Sequence, residues 1–321
     1  YNLTTTVPPI DEYSPEVAKR CAVYSAATYC SGSLGIGAAG WDCDICLEEP
    51  QMQNITIVEA VDIFQNSAQG FVGYDPIYGP AIIIAFAGTD PLSIEDWITD
   101  LSFAFLNYSD YVINSNGACN NCKVHKGFYE SYVSLSTQIW DAVKILQDEY
   151  GSDTKLVVTG HSLGGSMAVH CAIDAVLNYN INPSYIYTFG APRVGNPNFA
   201  AYYADIIPNL HRVTYKWDPV PHLPFQDMGY YHLPTEVYYA YDWDTYIICD
   251  GSGEDPECAD RYGDYGALDV TNHLQYMDYD WTVNFLSCKA DLVVEEITSN
   301  ANIGKIHCWI IFVLLWIFIY Y

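Results

Sequence analysis

The chain has 321 residues, of which 39 are acidic and 12 are lysine or arginine, so its formal net charge is −27. Half of the residues are apolar and 16% are charged, a composition that excludes a globally disordered chain. The few basic residues exclude a nucleic-acid-binding surface, which needs clustered lysine and arginine to neutralise phosphates. We expect a folded, monomeric protein that acts on neutral or nonpolar molecules.

The cysteine content indicates an oxidising compartment. There are eleven cysteines, and two pairs are closely spaced: Cys43 with Cys46, and Cys119 with Cys122. A structural zinc site needs four ligands from matched pairs. These two pairs lie far apart in the chain, and no histidine adjoins the first. We therefore expect disulfides and no bound metal.

Two further features are typical of a secreted chain. Sequons for N-glycosylation occur at Asn2, Asn54 and Asn107. The first residue is Tyr1 rather than methionine, which indicates that a signal peptide has been removed. We expect the protein to be secreted or held at the outer cell surface.

Short apolar segments alternate with helical patterns along the chain. The predicted strands are 81–87, 154–159, 184–189 and 210–216, and the predicted helices lie near 128–149, 163–179 and 196–205. This alternation is typical of an α/β protein with a mainly parallel sheet and helices on both faces. Such sheets bind ligands beyond the carboxyl ends of their strands, so catalytic residues are expected in the segments that follow them.

The segment after strand 154–159 reads Gly160-His161-Ser162-Leu163-Gly164-Gly165 and leads into a helix rich in small residues. The pattern G-x-S-x-G between a strand and a helix is typical of a nucleophile elbow, a tight turn that presents the serine hydroxyl. Gly160 and Gly164 are expected there because a Cβ at either position collides with neighbouring backbone. Ser162 is therefore the candidate nucleophile.

A serine nucleophile needs a general base and an acid that orients the base, in the chain order Ser, Asp, His for this kind of fold. Asp218 follows strand 210–216 and is the candidate acid. The later histidines are His222, His232, His273 and His307. His273, where a loop enters a helical turn, is the candidate base. His222 is the alternative, although its position four residues from Asp218 favours a packing role.

Seven motifs follow one another in order over residues 15–290. They are FAGTD (86–90), SIEDWITDL (93–101), VHKGFYESY (124–132), VTGHSLGGSMA (158–168), TFGAPRVGN (188–196), VTYKWDPVPHLP (213–224) and TNHLQY (271–276). Together they resemble the fungal-type class 3 lipases, which have the α/β-hydrolase fold. The resemblance implies one such domain over residues 1–298.

The same resemblance assigns roles to individual residues. It implies that Ser162 is the nucleophile, Asp218 the orienting acid and His273 the general base. It also places an oxyanion hole at Thr89 and Leu163. The implied reaction is ester hydrolysis through an acyl-enzyme, with no metal and no organic cofactor.

The segment after Thr89 carries an apolar stripe. Ile94, Trp97, Ile98 and Leu101 recur at the spacing of one helix face, with polar residues between them. In the resembled family this short helix is a lid that turns its apolar face toward lipid. An ordinary amphipathic helix packed on the core gives the same pattern. A lid predicts that the substrate is taken from a lipid–water interface.

The resemblance also implies a disulfide pattern. The implied pairs are Cys30–Cys288, Cys43–Cys46, Cys119–Cys122 and Cys249–Cys258, which leaves Cys21, Cys171 and Cys308 unpaired. The acidic run 250–264 lacks the ligand order of a calcium loop, so we expect a solvated loop closed by Cys249 and Cys258.

The composition changes abruptly over residues 299–321. Residues 308–321 are apolar throughout, and small residues followed by a polar spacer precede them. Fourteen apolar residues are too few for an ordinary membrane-spanning helix. The arrangement predicts a glycosylphosphatidylinositol-attachment signal, with a short membrane anchor or a packed apolar end as alternatives.

Three functions remain open on the sequence alone. The first is a lipase on triacylglycerol or other acylglycerols, with phospholipase A1 activity as an extension. The second is an esterase on soluble esters such as feruloyl esters. The third is an inactive lipid-binding protein on the same fold. A complete Ser162, Asp218 and His273 set argues against the third.

Overall fold

The computed structural model describes residues 12–30, 40–49, 51–61, 67–77, 80–108, 119–263 and 268–288. Within these ranges the helices are α1 (Pro15–Ala27), α2 (Ile94–Asp100), α3 (Lys126–Tyr150), α4 (Leu163–Tyr179), α5 (Pro197–Ile206) and α6 (Val270–His273). The strands are β1 (Gln53–Val61), β2 (Ser67–Asp75), β3 (Ala81–Phe86), β4 (Phe105–Asn107), β5 (Lys123–His125), β6 (Lys155–His161), β7 (Tyr185–Phe189), β8 (Leu210–Tyr215), β9 (Glu236–Tyr239), β10 (Ile247–Ile248), β11 (Gln275–Tyr276) and β12 (Tyr279–Asp280). Residues 281–288 are also helical.

Eight strands form one sheet in the order β1-β2-β3-β6-β7-β8-β9-β10. Strands β3, β6, β7, β8 and β9 run parallel, and β1, β2 and β10 join the edges antiparallel. The predicted mainly parallel sheet is confirmed, and the four predicted strands form its centre. The sequence did not single out β1, β2, β9 or β10. Strand β1 mixes exposed and buried positions, and β10 has only two residues, so neither gives a long apolar run.

Helices cover both faces of the sheet because its central strands are buried on both sides. In β3, Ile83 and Ala85 belong to the cluster that includes α1, whereas Ile82, Ile84 and Phe86 belong to the cluster with α3 and α4. Burying one side chain of this size contributes about 1.5–3 kcal/mol. Since successive residues face opposite layers, every position of β3 must be apolar, and the sequence is apolar throughout.

The structure contains the four disulfides that the resemblance implies: Cys30–Cys288, Cys43–Cys46, Cys119–Cys122 and Cys249–Cys258. Cys30 follows α1, and Cys288 ends the helical segment 281–288, so this bond joins the two helices across 258 positions of sequence. Cys21 and Cys171 are buried free thiols.

No helix within the described ranges combines the length and apolar character that a bilayer crossing requires. The apolar segment 308–321 lies outside those ranges, and so do Asn2, His307 and Cys308. The boundary expected near residue 298 falls outside them too.

Candidate active site

The turn between β6 and α4 carries Ser162 at the carboxyl end of a central strand. Its backbone has φ 59° and ψ −130°, a conformation that L residues rarely adopt. A Cβ on Gly160 would lie 2.3 Å from the carbonyl of Gly164, and a Cβ on Gly164 would lie 2.3 Å from the carbonyl of Phe86. Only glycine fits at both positions, so the predicted nucleophile elbow is present.

Asp218 and His273 form a buried pair. Asp218 follows β8, and His273 is the last residue of α6. The Nδ1 atom of His273 lies 3.0 Å and 2.9 Å from the two carboxylate oxygens of Asp218. Asp218 is 2% exposed and His273 is fully buried. A carboxylate on Nδ1 fixes the tautomer that leaves Nε2 available as a base.

Two further groups donate hydrogen bonds to the Asp218 carboxylate. The Val220 amide donates to Oδ1 over 2.8 Å, and the Tyr276 hydroxyl donates to Oδ2 over 2.5 Å. Burial, and next the charge of Asp218, raise the pKa of Tyr276 well above its usual value, so the hydroxyl keeps its proton. Tyr276 was not among the residues that the sequence indicated. Its position three residues after His273 in TNHLQY was the available signal.

Hydrogen bonds also join the loop that carries Asp218 to helix α6, which ends at His273. The Trp217 amide donates to the side-chain oxygen of Asn272 over 3.2 Å, and the Asp269 amide donates to the Trp217 carbonyl over 2.8 Å. The residues beside Asp218 and His273 are therefore fastened to each other, which restrains the pair as a unit.

Ser162 Oγ and His273 Nε2 are both buried, and neither makes a hydrogen bond in this structure. The turn that carries Ser162 nevertheless contacts His273, because the ring of His161, the residue before Ser162, stacks on the ring of His273 with centroids 4.5 Å apart. Catalytic hydrogen bonds are often long before substrate binds and tighten in the complex.

The two residues expected in the oxyanion hole flank the elbow. Leu163 begins α4, where the first amides of a helix have no partner within the helix. Thr89 follows β3 and is partly exposed. The neighbouring Gly88 approaches Ser162 so closely that a Cβ there would lie 2.8 Å from the serine Cβ. The loop that carries Thr89 therefore reaches the nucleophile.

Helix α2 contains three of the four stripe residues. Ile94 is buried, and Trp97, Ile98 and Leu101 are partly buried, so the stripe packs against the protein. The Trp97 ring lies 6.4 Å from that of Phe128. At the far end of α2, His125 Nε2 donates to the carbonyl of Ser102.

The other candidates from the sequence make different contacts. Asn54 is exposed with its amide on Glu149 and Tyr150, and Asn107 is exposed in β4. The carbonyl of His222, the alternative base, accepts from Arg193.

The acidic loop is closed by Cys249 and Cys258 as expected, and residues 250–252 and 256–257 are exposed, but one of its carboxylates is not solvated. Glu254 pairs with the buried Arg193 at 2.8 Å. The main-chain carbonyls of His222 and Pro224 accept from the same guanidinium. A buried arginine and carboxylate are stable only when both are hydrogen-bonded. The acidic loop therefore has a structural role next to the segment that follows Asp218.

Comparison with known proteins agrees with the fold and the motifs. The family model for class 3 lipases matches residues 83–228. A lipase from Rhizomucor miehei is 31% identical over 256 residues, which cover 78% of this chain and 65% of that protein. A secreted mono- and diacylglycerol lipase from Gibberella zeae is 34% identical over 179 residues, covering 50% of this chain and 43% of the relative. The structure of the Rhizomucor miehei lipase in its native propeptide complex superposes with a TM-score of 0.68 at 30% identity, covering 84% of this chain and 83% of that one.

The sheet order and the serine elbow define an α/β-hydrolase. The chain belongs to the class 3 lipase family. It spans about two thirds or less of the length of the two curated relatives. The matched range 83–228 contains Thr89, Ser162 and Asp218, and His273 lies beyond it.

Proposed function

We propose that this protein is a serine carboxylic-ester hydrolase that cleaves acylglycerols at a lipid–water interface. The observation that carries the proposal is the buried contact between Asp218 and His273 beside the Ser162 elbow. A buried carboxylate with three donors needs a purpose beyond stability, because replacing such polar groups by apolar ones is often neutral or stabilising. Orienting a general base is that purpose.

The reaction follows from the arrangement. His273 takes the proton of Ser162 as Oγ attacks the ester carbonyl, and Asp218 stabilises the imidazolium that forms. The amide of Leu163, with the amide and hydroxyl of Thr89, holds the developing oxyanion. The imidazolium returns its proton to the leaving alcohol, and water then hydrolyses the acyl-enzyme with His273 again as base.

The lipid substrate is inferred from burial and from α2. Ser162 Oγ and His273 Nε2 have no solvent exposure, so an ester reaches them only after a covering segment moves. Helix α2 begins five residues after Thr89 and has an apolar inner face. Turning that face outward is unfavourable in water and favourable at a lipid surface. The related lipases support acylglycerols as the substrate class.

The same proposal places the protein outside the reducing cytosol. Four disulfides persist in oxidising compartments. A relative of this chain is named a secreted lipase. Secretion fits these observations. Attachment to the cell surface through the tail is a further step of the proposal, which the sequence pattern of residues 299–321 supports.

Hydrolysis of emulsified triolein, phosphatidylcholine vesicles and p-nitrophenyl butyrate by the wild type and by Ser162→Ala tests the function. Loss of the nucleophile should reduce turnover about a millionfold on every substrate. Ser166→Ala is the matched control, because Ser166 is equally buried one turn further along α4 and should retain activity.

The substrate pattern separates the alternatives. Activity on triolein that exceeds activity on the soluble ester supports a lipase, and strong cleavage of phosphatidylcholine adds a phospholipase. Activity on the soluble ester alone contradicts the lipid interface. Equal activity of the wild type and Ser162→Ala contradicts the mechanism.

A further inference from the structure

A chain of hydrogen bonds runs behind the candidate active site through Tyr29 and His161. The Gly88 amide donates to the Tyr29 hydroxyl over 3.1 Å, and that hydroxyl lies 2.7 Å from His161 Nδ1. His161 Nε2 lies 2.8 Å from the carbonyl of His273. Because a carbonyl only accepts, Nε2 carries the proton, and Nδ1 then accepts from Tyr29. Each donor in the chain thus has a defined direction.

These hydrogen bonds join three segments whose relative positions matter for catalysis. Gly88 precedes Thr89 of the oxyanion loop, and His161 precedes Ser162. The third segment is α6, through the backbone of His273 itself. These segments are far apart in the sequence, so local backbone geometry does not set their relative positions.

The ring of His161 also supports the ring of the base. His161 stacks between His273 and Trp281, with centroid distances of 4.5 Å and 4.6 Å. All three side chains are at most 1% exposed. Burial, and next the charge that His273 acquires, lower the pKa of His161 well below its usual value. His161 therefore stays neutral and keeps its acceptor toward Tyr29 when His273 takes a proton.

We propose that Tyr29 and His161 are positioning residues that hold the oxyanion loop, the nucleophile turn and the general base in one arrangement. The proposal rests on the ester-hydrolase function proposed above. Neither residue needs to touch substrate, because their polar atoms are occupied by one another and by backbone groups. The consequence is that they affect the rate of the chemical step and leave substrate binding nearly unchanged.

Four variants separate the hydrogen bonds from the packing. His161→Phe keeps a stacked ring and removes both bonds, whereas His161→Gln supplies one donor and one acceptor without the ring. Tyr29→Phe removes a single oxygen atom. His170→Phe is the matched control, since His170 is another buried histidine but its ring nitrogens make no hydrogen bond in the structure.

The readouts are kcat and KM on p-nitrophenyl butyrate, with thermal unfolding midpoints of the same samples. We expect kcat to fall about 10–100-fold in His161→Phe and in Tyr29→Phe, as for a misplaced catalytic group, with KM within twofold. His161→Gln should recover part of the loss, and His170→Phe should keep the wild-type kcat. The double variant Tyr29→Phe/His161→Phe should be no more than threefold slower than the slower single variant, because either substitution alone already interrupts the same row of hydrogen bonds.

Wild-type kcat in His161→Phe, or losses in the two single variants that multiply in the double variant, would overturn the proposal. If His161→Phe does not fold, the kcat of Tyr29→Phe decides. Failure of the function itself is recognised separately, since Ser162→Ala would then be as active as the wild type.

Discussion

The three proposed catalytic residues and helix α2 differ in how firmly the protein holds them. Ser162, Asp218 and His273 are at most 2% exposed, and the Asp218 carboxylate accepts from three donors. Helix α2 has seven residues, of which only Ile94 is buried. The groups that would do chemistry are therefore built into the rigid core, whereas the segment beside them has few contacts to lose. Movement during the reaction is expected in α2 and not in the triad.

Among variants that keep the nucleophile, the largest effect should come from the acid. Asp218→Asn keeps the shape of the side chain but removes the charge that stabilises the imidazolium and fixes its tautomer. We expect kcat on p-nitrophenyl butyrate to fall about 10,000-fold, with the thermal midpoint measured in parallel. Asp174→Asn on α4 is a control with a hydrogen-bonded carboxylate outside the pair, and it should keep its kcat. A loss below tenfold in Asp218→Asn would show that the triad is not held as described.

Tyr276→Phe should have a smaller effect in the same region. It removes one of the three donors to Asp218 and leaves the buried Oδ2 with one donor fewer, so the carboxylate is less well stabilised. We expect kcat to fall about tenfold, equivalent to roughly 1.4 kcal/mol, with KM unchanged. A change confined to KM would mean that Tyr276 acts on substrate binding instead.

Substitutions in helix α2 should not lower activity on a soluble substrate, unlike those at Asp218 and Tyr276. Trp97→Ser removes an apolar contact with Phe128 and an apolar surface for lipid. We expect activity on dissolved p-nitrophenyl butyrate to be unchanged or raised, and activity on triolein to fall about fivefold, equivalent to roughly 1 kcal/mol. Glu95→Ser, on the exposed face of α2, should leave both activities unchanged. Equal losses on both substrates would contradict a mobile lid.

The buried histidines act on stability rather than on rate. Burial lowers the pKa of His125 to about 4, of His170 to about 3 and of His211 to about 4, from about 6.5. The unfolded chain binds more protons than the folded one between these values, so the free energy of unfolding falls as pH drops from about 6.5 toward 4. Each group contributes at most about 1.4 kcal/mol per pH unit.

Urea unfolding at pH 7, 6, 5 and 4 measures this dependence. In His170→Phe the slope against pH should be smaller than in the wild type by one such contribution. An unchanged slope would show that His170 is not buried in the neutral form.

The sequence predicted the sheet and the elbow because both depend on local signals. Apolar runs mark the central strands, and the glycines around Ser162 are dictated by backbone contacts within one turn. Chain order fits both histidines after Asp218, so the choice of His273 over His222 rested on the short spacing between His222 and Asp218 and on the motif TNHLQY of the resembled family. The motif TNHLQY placed Tyr276 near His273, but its bond to Asp218 across 58 positions was not visible in the sequence. The contact of His161 with the carbonyl of His273 spans 112 positions and could not be read from sequence either.

The expected solvated loop at 250–264 was wrong in part. The Cys249–Cys258 bond closes it and residues 250–252 are exposed, but Glu254 is paired with the buried Arg193. Acidic residues in sequence give no sign of the buried arginine that pairs with one of them. Arg193 reaches Glu254 across 61 positions, and that contact is visible only in three dimensions.

The central claim is that Ser162 is the nucleophile of an ester hydrolase. Diethyl p-nitrophenyl phosphate phosphorylates an activated serine with release of p-nitrophenol, and mass spectrometry of the digested protein locates the adduct. We predict one adduct per chain, on the peptide that contains Ser162, formed in parallel with the loss of activity on p-nitrophenyl butyrate. Complete loss of activity with Ser162 unmodified, or full activity with Ser162 phosphorylated, would contradict the account.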